Sequence, residues 1–82
     1  MMLPRVFFDT NDGSMEDGYR LGFDQSRKDL DALGTALRDE AAVTIYMPKE
    51  LQMTATLRLD PNGDAWWADP VAGTITHLDG SA

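Results

Sequence analysis

The chain has no cysteine, a single histidine and no apolar run approaching the length of a membrane span. The first absence removes disulfide staples, thiolate nucleophiles and cysteine-based zinc or iron–sulfur sites. The second leaves His77 as the sole imidazole, so a general-base or metal role would need carboxylates brought to it, with Asp69 and Asp79 the nearest candidates. A lone histidine on a terminal strand is more often a surface or half-buried residue than a ligand. The third absence, with an N-terminal stretch (Met1 to Asp9) whose apolar run is too short for a secretory leader, makes a cytoplasmic protein with no membrane partner the expectation.

Positive charge is also scarce. Seven basic residues face fourteen acidic ones, a formal charge of −7, and only Arg27 and Lys28 are adjacent. Such a balance repels phosphate backbones, so nucleic acid is not an expected partner. The seven glycines are spread among turns and lack the spacing of a dinucleotide or nucleoside-triphosphate loop, and none of Ser14, Ser26 and Ser81 sits in a nucleophile-elbow pattern. No catalytic residue and no cofactor is therefore assigned, and the chain reads as a non-enzyme.

What is present is a small mainly-β pattern. Eighty-two residues support one domain, spanning 1–82 with 79–82 as a tail. A chain of this size hides only about 60–65% of its unfolded surface, so its stability margin is thin. From Leu51 to Leu59 the odd positions are apolar and the even ones are Gln52, Thr54, Thr56 and Arg58, a strict period of two that predicts a half-buried antiparallel strand. Asp60-Pro61-Asn62-Gly63-Asp64 is a turn, and Ala65-Trp66-Trp67-Ala68 is the returning strand. Because neighbours alternate faces, one tryptophan enters the core and the other lies outside.

Ala42 to Met47 alternates in the same way and breaks at Pro48; Thr74 to Leu78 reads as a last strand, Arg5 to Asp9 and Gly18 to Phe23 as two early ones. Tyr19, Leu21 and Phe23 would share a face. Leu30, Leu33 and Leu37 fall at helical spacing, predicting a short helix within 26–38 that Ser26 caps and Gly34 ends early. The fold expected is a small antiparallel curled sheet or SH3-like barrel with one short helix, with a two-layer α+β sheet as the alternative.

The densest polar constellation is the loop 9–18, where Asp9, Asn11, Asp12, Glu16 and Asp17 are candidate ligands for a hard cation. The EF-hand register fails there: counting from Asp9, Gly13 falls at the fifth position and Arg20 at the twelfth, where a glutamate belongs. Short acidic loops between strands are ordinarily solvated turns, so no metal is assigned. The stronger binding feature is aromatic. Trp66, Trp67 and Tyr46 bring large contact area at small entropy cost and are candidate partner-binding residues.

The expected function is a protein-interaction or small-subunit domain, self-associating through the tryptophan hairpin as a homo-oligomer. One alternative is an acidic inhibitor or immunity-type partner of a basic protein, steered by charge. Another is a calcium- or small-molecule-binding domain.

Overall fold

A computed structural model of the chain describes residues 3–62 and 65–77. Among these residues are seven strands, β1 (Arg5–Phe7), β2 (Gly13–Ser14), β3 (Gly18–Arg20), β4 (Ala42–Met47), β5 (Leu51–Leu59), β6 (Trp66–Pro70) and β7 (Thr76–His77), with one helix, α1 (Asp24–Asp31), and a 3₁₀ turn at Gly34–Ala36. The strands form a single sheet in the order β1-β4-β5-β6-β3-β2, and β7 pairs with β5. The domain is mainly β with one short helix, as its sequence pattern implies, and the sheet does not close into a barrel.

The β4–β5–β6 meander follows from local chemistry. Lys49 adopts φ 63° in the turn Pro48-Lys49-Glu50, and the Glu50 N–H closes it on the Met47 carbonyl at 3.0 Å, so Met47 pairs directly with Leu51. The break at Pro48 is thus a tight hairpin. Its register sets Val43 against Ala55 and Ile45 against Met53, all buried, while Thr44 faces Thr54 on the other side. β6 continues the pattern, with Leu57 opposite Ala68 inside and Arg58 opposite Trp67 outside. Gly63 and Asp64 of the connecting turn, Leu78 of the last strand and the 79–82 tail lie outside the described residues.

The other edge of β5 is shared. β6 pairs with Ala55–Leu59, β7 with Leu51–Gln52, and in the gap the Thr74 hydroxyl accepts the Thr54 N–H at 3.1 Å. A threonine side chain there takes the place of a strand residue.

Three features depart from the sequence expectation. First, β1 runs parallel to β4, with Arg5 opposite Thr44 and Phe7 opposite Tyr46, so the sheet is mixed. A parallel neighbour leaves no local turn signal, because its partner must return by a long crossover. Second, Ser26 is not a cap. Phe23 holds the N-cap position without a side-chain bond, and Ser26 lies inside α1, fully buried, donating to the Phe7 carbonyl at 2.6 Å. Third, Phe23 leaves the face of Tyr19 and Leu21: those two are buried, whereas Phe23 is exposed and meets Phe7 edge-on at 5.8 Å between ring centroids.

The helix stops at Asp31, and Gly34 with φ 57° turns the chain into the 3₁₀ segment, so Leu30 is buried while Leu33 and Leu37 pack against the core rim. Ser26 and Asp29 close the sheet edge. In a parallel strand alternate peptides point away from the partner, and here the outward peptide is that of Phe7. Its carbonyl takes the Ser26 hydroxyl, and its N–H donates to Asp29 Oδ2 at 2.9 Å. An edge that would otherwise present unpaired groups is covered by a helix.

A glycine is required in the small β2–β3 hairpin. Gly13 has φ 150°, and a Cβ there would stand 2.2 Å from the Gly18 carbonyl oxygen, closer than any real contact.

Candidate functional site

The three aromatic residues singled out by sequence occupy different places. On β6 the two tryptophans diverge by strand alternation: Trp66 packs on the core side and Trp67 on the outer face. Tyr46 shares the outer face with Trp67 but pairs with Gln52, six residues along β5 from Arg58, about 20 Å at strand rise. The three do not form one cluster.

Around Trp67 the outer face is organised by Arg58. Its guanidinium lies 5.3 Å from the Trp67 ring centroid and grips Asp69 through two bonds, Nε to Oδ2 at 2.9 Å and Nη2 to Oδ1 at 3.1 Å. Nη2 also donates to the Asp17 carbonyl at 3.0 Å, tying the acidic loop to the hairpin. Bonding to Asp69 raises the Arg58 pKa above its already high range against partial desolvation, with the charges of Asp69, Asp60 and Asp39 adding to the effect. Both side chains are about two-fifths exposed, so this pair contributes about 0–1 kcal/mol and acts chiefly by orientation. Trp67 Nε1 is buried and, among the described residues, has no acceptor.

At the opposite corner Tyr46 donates its hydroxyl to Asp29 Oδ2 at 3.0 Å, beneath the Arg5 guanidinium at 4.5 Å and edge-on to Phe7. Desolvation first, then the bond to Asp29 and its negative charge, raise the Tyr46 pKa above its ordinary value, while Arg5 pulls the other way. Tyr46 is thereby tied into the junction of α1 and β1.

The acidic loop is a pair of turns. The Asn11 N–H donates to Asp9 Oδ1, the Asp12 N–H to the Asp9 carbonyl, and the Asp17 N–H to Ser14 Oγ. Among the described residues no three acidic or histidine side chains converge as metal ligands, Asp9, Asp12, Glu16 and Asp17 included. His77 is exposed on β7, while Asp69 of β6 is committed to Arg58 of β5; Asp79 lies outside the described residues.

A cleft that sequence reading did not find lies on the core side of the hairpin. It has a volume of about 190 Å³ and is lined by Leu21, Leu30, Leu37 and Trp66 together with Arg20 and Arg27. Leu21 and Leu30 are buried, and both arginines are exposed. By register Arg20 stands on the outward side of β3, with Nε 3.7 Å from where a Cβ at Gly22 would stand, and it also lines the cleft. Asp31 also lines the cleft. Among the described residues neither arginine takes part in an ion pair or a side-chain hydrogen bond, the one ion pair being Arg58–Asp69. Compared with protein-family models, curated proteins and solved structures, the chain matches none of them.

Proposed function

We propose that this chain is a non-catalytic protein-interaction domain that self-associates through the outer face of its tryptophan hairpin. The observation that carries the reading is Trp67: a large aromatic residue held half-buried on the outer face of the sheet, beside the Arg58 guanidinium, with an indole N–H that has no acceptor among the described residues. Tryptophan and arginine are the residue types most enriched where interfaces concentrate their binding energy. A partner that seats against this face and shifts the ring supplies the missing acceptor.

Charge distribution supports the same face. By strand register the outward residues of β1, β4, β5 and β6 include Arg5 and Arg58 but only one acid, Asp69, although the chain carries fourteen acids in all. Two copies meeting there bring together threonines, aromatics and guanidiniums rather than two acidic surfaces. Strand-edge docking has less to offer, since the Phe7 peptide at the β1 edge is occupied by α1 and the β2 edge is two residues long.

The test is solution mass by light scattering across a concentration series for wild type and Trp67→Ala. The reading requires wild-type mass to rise toward a dimer and the folded variant to stay monomeric. Wild type that remains a monomer throughout refutes it.

A further inference from the structure

We propose that the cleft beside Trp66 binds the C-terminal end of a partner peptide, seating an apolar last side chain against Leu21, Leu30 and Trp66 and holding its carboxylate with Arg20 and Arg27. This site lies on the opposite side of β6 from Trp67 and does not rest on self-association.

Size comes first. About 190 Å³ is a little more than the ~150 Å³ cavity that accommodates benzene and well below the ~300–1,000 Å³ of pockets for drug-sized ligands or cofactors. The cleft therefore takes one leucine- or phenylalanine-sized group. A free molecule that small has few atoms with which to offset the entropy of binding, so useful affinity has to come from a chain continuing past the mouth.

Charge comes second. In a chain of net charge −7, two of the seven bases line this cleft, and only one carboxylate, Asp31, lines it with them. Both bases are arginines, whose planar forks match a carboxylate through paired N–H bonds. They rise from separate elements, the end of β3 and the middle of α1, and both line the cleft with the same leucines. At a chain terminus the carboxylate and the last side chain leave the same Cα. That pairing fits a cleft lined by leucines, a tryptophan and two arginines.

The experiment is a titration of ¹⁵N-labelled protein, followed by amide and indole resonances, with three probes: the tetrapeptide acetyl-Gly-Gly-Ser-Leu as the free acid, the same peptide as its C-terminal amide, and N-acetyl-leucine. The acid peptide is expected to move the Leu21, Leu30 and Leu37 amides and the Trp66 indole, and the amide to bind about tenfold more weakly. Arg27→Gln, an exposed helix position, is expected to lower acid-peptide affinity by about the same factor and to leave the amide unaffected. Equal affinity of acid and amide, or no movement of the cleft resonances at millimolar peptide, overturns the site. N-acetyl-leucine binding as tightly as the tetrapeptide overturns the chain-end assignment in favour of a small free acid. Light scattering on the unliganded protein reports self-association separately, so either result can fail alone.

Discussion

Replacing Ser26 by alanine isolates one bond. The hydroxyl is fully buried inside α1 and reaches across the sheet edge to the Phe7 carbonyl at 2.6 Å. Alanine preserves the helix and favours it by about 0.5 kcal/mol. Against that gain, a partly buried carbonyl loses its donor, which costs about 1–3 kcal/mol, with the lower half of the range appropriate where water has some access. The net expectation is a loss of about 1 kcal/mol, equivalent to a fall in Tm of about 4–8 °C for a domain of this length. Thermal and urea unfolding followed by tryptophan fluorescence measure it. Ser14→Ala is the control, since that hydroxyl makes an exposed bond to the Asp17 N–H, and its loss is expected to cost no more than about 0.5 kcal/mol. If the two variants lose the same stability, or Ser26→Ala loses none, the β1 edge is not held by this bond.

Two further outcomes follow from the same structure. Leu57 is 1% exposed in the middle of β5, so Leu57→Asp places an unpaired carboxylate in the core and is expected to abolish the cooperative unfolding transition; a retained transition near the wild-type midpoint would reject the β5 register. Tyr46 has a folded pKa above its unfolded value near 10, so its contribution to stability is complete below about pH 10 and is lost as pH rises through the folded value. Asp29→Asn removes the negative charge and weakens the bond that favours the neutral phenol, and phenolate absorbance, read as wild type minus Tyr46→Phe, is expected to titrate lower in that background. An unchanged or higher midpoint contradicts the assigned cause.

Much of the sheet was legible because its information is local. The alternation in β5, the proline break after Met47 and the adjacent tryptophans each specify a neighbour a few residues away, and the structure pairs them as the alternation implies. Gly34 likewise marks the end of a helical period by its own backbone. What was not legible depends on distance along the chain. Arg5 pairs with Thr44, a separation of 44 − 5 = 39 residues, and nothing near either residue specifies a parallel neighbour. Ser26 stands just before a periodic apolar run, which is where caps occur, and only the approach of Phe7 turns it into a buried bridge. The cleft was missed for the same reason. Arg20 and Arg27 are unremarkable until β3 and α1 are set beside Trp66, whereas the acidic loop, conspicuous by composition, folds into ordinary turns.

The parallel pairing of β1 with β4 has one more consequence. Everything between those strands, the acidic loop, the β2–β3 hairpin and the helix, is a single excursion that crosses to the far edge of the sheet, where β3 pairs with β6, and returns beside its point of departure. Arg20, Leu21, Arg27, Leu30 and Leu37 all come from this excursion, while Trp66 belongs to the meander. The cleft is thus the seam between two subassemblies and has no existence in either one alone. An occupant seated in it rivets the excursion to the meander, so that in so small a domain ligand affinity and local opening draw on the same free energy.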